Sequence, residues 1–135
     1  EQRAADMGDR DHVLSLAAIW TGLLYDSESL DAAWDLVSDW TDVERQTLRN
    51  EVPRTAIHTP FRGGTVADIA RLVVDLAGDG LRRRKHLAAG KDETSFLAPL
   101  NETLELGKTQ AERWLDKYNG AWAGDLTRIF EEAEI

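Results

Sequence analysis

From His12 to Leu24 the apolar positions Val13, Leu16, Ala17, Trp20, Leu23 and Leu24 recur at offsets of three, four and seven residues. That spacing gathers them on one face of a helix and predicts that this face is buried. Asp11 is placed to cap it, and Tyr25-Asp26-Ser27 interrupts the pattern. A second helix is predicted over Ser29 to Trp40. Leu30, Ala33, Trp34, Val37 and Trp40 lie on one side, and Asp31, Asp35 and Asp39 form a solvated stripe on another. Thr41-Asp42-Val43-Glu44 is a capping box that opens a third helix, which Pro53 should stop after Val52.

Arg54 to Gly64 reads as a loop. Thr65, with Asp68 in the first turn, caps a fourth helix whose inward stripe is Val66, Ile69, Ala70, Val73, Leu76, Ala77 and Leu81. Gly78 and Gly80 weaken its late part and imply either a kink or close packing. Gly90-Lys91-Asp92 is a turn. A fifth helix covers Glu93 to Leu106 with Phe96, Leu97, Leu100 and Leu104 inward. Pro99 either kinks it or delays its true start, and Gly107 ends it. Thr109-Gln110-Ala111-Glu112 is another capping box, opening a helix with Trp114, Leu115 and Tyr118 that ends at Asn119-Gly120. A last short helix, capped by Asp125, should span Leu126 to Ala133. Alternating β-branched runs are missing, so the pattern specifies an all-α domain, an irregular bundle of six or seven helices. The polar stretch Glu1 to Asp9 is the one place where a strand could hide.

Composition narrows the chemistry more than the fold. The chain has 135 residues, a net charge of −9 and no cysteine. The acidic balance argues against non-specific nucleic-acid binding and against anionic membranes. No apolar run approaches the ~20 residues needed to cross a bilayer. Without cysteine there is no disulfide scaffold, no thiolate nucleophile and no cysteine-ligated metal; this permits a reducing cytoplasm, the compartment expected, without requiring it.

Few local motifs carry chemistry. His12, His58 and His86 have no metal-ligand spacing and read as surface or satisfied histidines, so no metal site is expected. No Ser-His-Asp set and no marked carboxylate pair appears, so no catalytic residue is assigned. Arg62-Gly63-Gly64-Thr65 precedes a helix start and could hold an anion through backbone amides and a guanidinium fork. A turn followed by an N-cap is the simpler reading of the same residues. The basic run Arg82-Arg83-Arg84-Lys85 reads as a solvated helix end, with Asp75 and Asp79 as available counter-charges. Trp20, Trp34, Trp40 and Trp114 fall on apolar helix faces and are expected in the core. Trp122, in the loop Tyr118-Asn119-Gly120-Ala121-Trp122-Ala123-Gly124, is open to an anchoring or a ligand-facing role.

Taken in order, several stretches resemble one family. Glu1-Gln2-Arg3-Ala4-Ala5-Asp6 resembles the Glu-Met-Arg-Gly-Ala-Asp segment of plant and proteobacterial glutamate–cysteine ligases. Ala18-Ile19-Trp20-Thr21-Gly22-Leu23-Leu24-Tyr25-Asp26 is similar to that family's Ala-Phe-Trp-Val-Gly-Leu-Leu-Tyr-Asp. Asp39-Trp40-Thr41, Glu44-Arg45, Val52-Pro53, Thr59-Pro60-Phe61-Arg62, Asp79-Gly80-Leu81, Arg83-Arg84, Tyr118-Asn119-Gly120-Ala121-Trp122 and Ile129-Phe130-Glu131-Glu132 follow in the family's order. The likeness covers nearly the whole chain and is to the C-terminal third of such an enzyme.

The resemblance implies an ATP-dependent ligase that joins the γ-carboxylate of glutamate to the amine of cysteine through a γ-glutamyl phosphate, with magnesium, in the first step of glutathione synthesis. It implies a glutamine-synthetase-like antiparallel sheet, of which residues 1–10 would be a strand remnant and linker and residues 11–135 the helical C-terminal domain. Such chemistry needs carboxylates to place magnesium and cationic donors to stabilise charge. Most of that machinery would lie outside this chain, so ATP and magnesium belong to the intact enzyme, and the isolated chain is expected to be inactive. Arg3 matches the family's arginine and is the first substrate-contact candidate; Arg62 is the second, with a loop-ordering role equally compatible. The implied partner is the sheet-bearing N-terminal part of the ligase, in cis or in trans, with glutamate, cysteine and ATP as substrates. A helical interaction module without catalysis, or half of a split ligase, are the competing readings. Gln2 and Ala4 depart from the family's Met and Gly. Met7-Gly8-Asp9-Arg10-Asp11-His12 replaces its Gly-Gly-Pro-Trp-Arg-Arg. The cysteines of plant redox control are missing.

Overall fold

The computed structural model describes residues 8–88 and 90–132. The segment expected to hold the strand remnant, including Arg3, lies outside the described residues. Helix α1 (Arg10–Leu24) is capped by Asp9, whose carboxylate accepts from the His12 amide at 2.9 Å. The cap is thus two residues before the expected Asp11, which sits in the first turn instead. Helix α2 (Ser27–Val37) is capped by Asp26. It begins earlier than expected because Asp26 is a better-placed cap than any later residue, and it ends before Trp40.

Helix α3 (Asp42–Thr55) opens on the Thr41/Glu44 capping box and runs through Pro53. Pro53 does not stop it at Val52, because in the last turn the ring removes a single amide donor. The expected loop then resolves into a 3-10 helix (Ala56–His58) and a hairpin, β1 (Pro60–Phe61) with β2 (Gly64–Thr65). Helix α4 (Val66–Arg84) follows, with the Asp68 carboxylate accepting from both the Thr65 amide and the Thr65 hydroxyl. A second hairpin, β3 (Leu87–Ala88) with β4 (Lys91–Asp92), turns at Gly90. A 3-10 helix (Glu93–Leu97) leads into α5 (Ala98–Leu106), with Pro99 in the first turn, so Pro99 delays the start of the helix. Helix α6 (Gln110–Asn119) carries the third capping box, Thr109 with Glu112. Helix α7 (Arg128–Glu132) begins two residues later than expected. Asp125 folds the intervening chain into a turn by accepting from the Thr127 amide and hydroxyl. The fold is all-α, with seven α-helices among the described residues and two short hairpins.

The core joins Ala18 and Leu23 of α1, Val74, Ala77 and Leu81 of α4, Leu97, and Leu104 of α5. Helices α1 and α2 both pack on α4, and the 3-10 helix Glu93–Leu97 packs against both α1 and α4. Gly22 and Gly80 make the α1–α4 crossing possible: a β-carbon at Gly22 would meet the Ala77 carbonyl, and one at Gly80 the Gly22 carbonyl. Close packing is therefore the use of Gly80 in α4, whereas a β-carbon at Gly78 would make only ordinary contacts.

The tryptophans reverse the expectation. Trp34 is 66% exposed, and Trp20, Trp40 and Trp114 are only half-buried. Trp122 is the buried one. Its ring packs on Trp114 at 5.4 Å, and its Nε1 donates to Glu132 Oε1 at 2.7 Å. The loop tryptophan is an anchor that ties α7 to α6.

Candidate functional site

Helix α1 is apolar on two opposite faces, and the fold buries only one. Ser15, Ala18 and Gly22 point inward, with Ser15 donating to the Phe96 carbonyl at 2.6 Å. Two residues further round, about 200° at ~100° per residue, runs the stripe that the periodicity marks as buried. Of that stripe Leu23 is buried in the core as expected, but Val13 is 54% exposed, Leu16 37% and Leu24 50%, with Trp20 half-buried between them. The correction has a simple cause. Helix axes approach most closely where side chains are smallest, so Ser15, Ala18 and Gly22 take the crossing with α4, Ile19 and Leu23 pack into the core beside them, and Val13, Leu16 and Leu24 are left facing outward. Beside the stripe, Leu14, Ala17, Ala18, Thr21, Leu81, Glu93 and Phe96 line a groove of about 160 Å³.

Arg62 occupies the turn of the first hairpin. Arg62 and Gly63 both have positive φ, 46° and 82°, the combination that a two-residue turn between right-twisted strands requires. A non-glycine residue there is strained. Its side chain supplies the restraint: Nε and Nη2 donate to the two Glu44 oxygens at 2.6 and 2.8 Å, and Nη1 donates to the Asp39 carboxylate at 2.8 Å. Nη2 also donates to the Asp39 carbonyl at 3.1 Å. The guanidinium lies 5.6 Å from the Phe61 ring centre, and Phe61 packs on Trp40 at 4.9 Å. All three nitrogens are engaged, so Arg62 orders the hairpin against the α2–α3 junction. An anion reaching it would compete with two carboxylates. The Arg62 fork, with the Thr41 amide, holds the Glu44 carboxyl down to about 2. Glu44 was legible as a capping residue, whereas Asp39 reads in sequence as one of a solvated row.

The basic run forms a second latch. Arg83 grips Asp26 through Nε and Nη2, the shortest distance being 2.6 Å, and also donates to Ser29 Oγ at 2.8 Å. The hydroxyl of buried Ser29 in turn donates a hydrogen bond to the Leu76 carbonyl at 2.7 Å. The Arg83 fork and the Ser29 amide hold the Asp26 carboxyl well below the usual range. Arg82 pairs with Asp79 at 2.5 Å, and Arg84 faces Glu93 at 3.7 Å and the Tyr25 ring at 5.5 Å. The counter-charges are Asp79, Asp26, Glu28 and Glu93; Asp75 is not among the partners found.

His12 is bonded to Asp9 at 2.7 Å, His58 lies 3.7 Å from Glu112, and His86 is exposed. Among the described residues no group of three or more histidines or carboxylates converges as a metal site. No described helix is long and apolar enough to cross a membrane. These elements define a helical layer tied together by charged latches at its surface, with an apolar stripe of α1 also turned outward.

The family follows from the sequence along the whole layer. The model of glutamate-cysteine ligase family 2 (GCS2) matches residues 1–132, and the chain belongs to this family. It is 46% identical over 132 residues to the chloroplastic glutamate–cysteine ligase of Arabidopsis thaliana, covering 98% of this chain and 24% of that protein. To the chloroplastic ligase of Brassica juncea it is 43% identical, covering 98% of this chain and 25% of the relative. To chloroplastic ligase A of Oryza sativa subsp. indica it is 42% identical, covering 98% and 26%. The chain therefore spans about a quarter of the length of the relatives it matches.

Proposed function

We propose that this chain is the helical part of an ATP-dependent glutamate–cysteine ligase, which forms γ-glutamylcysteine for glutathione synthesis in the cytoplasm. The observation that carries the reading is the pairing of a family match along 1–132 with coverage of only a quarter of the relatives. Residues 1–10 serve as strand remnant and linker, and residues 11–135 as the helical domain. Arg3 supplies a guanidinium for a substrate carboxylate or phosphate, with Arg62 second to it. ATP and magnesium belong to the intact ligase, as the likeness to the family implies. The sheet-bearing part is the partner, in cis or in trans.

Two preparations test this. One is the purified chain; the other is the Arabidopsis thaliana ligase with its matching region replaced by this chain. With ATP, magnesium, glutamate and cysteine, the chimera is expected to make γ-glutamylcysteine and the chain alone to make none. Product from the chain alone, or none from a folded chimera, overturns the reading.

A further inference from the structure

Between Val13 and Leu24 the sequence carries no charged residue, in a chain whose net charge is −9. A helix at a protein surface ordinarily turns a charged face to water, and one that is apolar all round is covered on both sides. The outward side of α1 has no such polar face. Val13, Leu16, Trp20 and Leu24 continue along it, and the groove of about 160 Å³ opens beside them. Leu14, Ala17 and Phe96 give the groove its apolar walls, with Thr21 and Glu93 also at its lining. Leu30 and Trp34 form a second exposed apolar pair, on α2, but Asp31 and Asp35 stand beside them in the chain. Leu72 lies beside Arg71 and near Asp75, and Phe130 is next to Glu131, each a single side chain in polar surroundings of the ordinary sort.

We propose that the outward face of α1, with its groove, is the surface against which the part of the ligase not spanned by this chain packs. The seated surface is uncharged and apolar, and it presents one bulky side chain to the groove. The inference rests on the ligase reading. Its occupant follows from size and charge. Three quarters of each relative lies outside the matched region, so a large further body of protein is available to cover the face. A second copy of this chain would bring another −9 against the first, which opposes self-association.

Hydroxyl-radical footprinting of the free chain and of the chimera, read residue by residue by mass spectrometry, tests the surface apart from the activity. Leu16, Trp20 and Leu24 are expected to be labelled roughly fivefold more slowly in the chimera, while Leu72 and Phe130 are labelled equally in both. Leu16→Glu is expected to leave the free chain folded by circular dichroism and to remove most γ-glutamylcysteine formation from the chimera. Leu72→Glu, the control, is expected to leave both unchanged. An active chimera whose α1 stripe is labelled as fast as in the free chain overturns the surface and spares the ligase reading. A folded but inactive chimera overturns both. Protection already present in the free chain, and rising with its concentration, assigns the face to a second copy and also overturns the proposal.

Discussion

Gly80 of α4 lies against Gly22 of α1 so closely that a β-carbon on Gly80 would be driven into the Gly22 carbonyl and brought to 2.9 Å from Ser29 Oγ. The obstacle is largely backbone, which no rotamer change relieves. Gly80→Ala is expected to destabilise the chain by about 3 kcal/mol, at the upper end of overpacking costs. Gly78, two residues away on the same helix, has only the Arg82 guanidinium and the Leu97 methyl near its β-carbon position, at 3.6 and 3.7 Å. Gly78→Ala should instead stabilise by about 0.5–1 kcal/mol, the helix-propensity gain. Urea unfolding of the two variants compares the signs directly.

The Arg62 latch predicts an acid-side effect. Glu44 ordinarily titrates at 4.5 and is held to about 2 in the folded chain. Its folded value lies below its unfolded one, so its contribution is full above pH 4.5 and fades as the pH falls towards 2. The difference in melting temperature between wild type and Glu44→Gln should shrink across that window. Asp26, also depressed, is unchanged in both proteins and cancels from the difference. Arg62→Ala should lower the melting temperature more than Arg45→Ala, whose single contact to Asp42 is at 3.5 Å between exposed groups.

Ser29 is buried and joins Arg83 to the Leu76 carbonyl through one hydroxyl. Ser29→Ala removes both contacts and adds no bulk. A loss of about 1–2 kcal/mol in chemical denaturation is expected. Ser27→Ala, at an exposed position in the same helix turn, should change stability by less than about 0.5 kcal/mol.

Trp122→Phe keeps an aromatic ring beside Trp114 and deletes the donor to Glu132. Amides of α7 should then exchange with solvent faster, while those of α1 and α4 keep their protection. Uniformly faster exchange would mean that Trp122 holds the whole fold and not only its last helix.

What the sequence made legible was local. The three capping boxes, Thr41/Glu44, Thr65/Asp68 and Thr109/Glu112, depend on neighbours three residues apart, and helices begin at all three. Pro99 and Gly107 likewise act within their own turns. The two hairpins were missed because two-residue strands are too short to show an alternation. Arg62 could be singled out, but its partners lie 18 and 23 positions away and no spacing rule connects them. The orientation of α1 was misread for a deeper reason. A hydrophobic stripe shows which face avoids water, not which layer covers it. Here the bundle takes Ala18, Gly22 and, of the stripe, Leu23, leaving Val13 and Leu24 for something else. Arg3 lies outside the described residues, so its role rests on the family motif.

Helix α1 packs inward by Ser15, Ala18, Gly22 and Leu23 and turns Val13, Leu16 and Leu24 outward, and the lack of native cysteine makes this directly measurable. Val13→Cys, Leu24→Cys and Ala18→Cys would each be reacted with a maleimide in the folded chain under native conditions. Val13→Cys and Leu24→Cys should react at close to the rate of the unfolded chain, and Ala18→Cys at least about a hundredfold more slowly, limited by opening of the core. Rapid labelling at position 18 with protection at 13 and 24 would contradict the account, because α1 would then pack on the bundle by the face assigned here to the rest of the ligase.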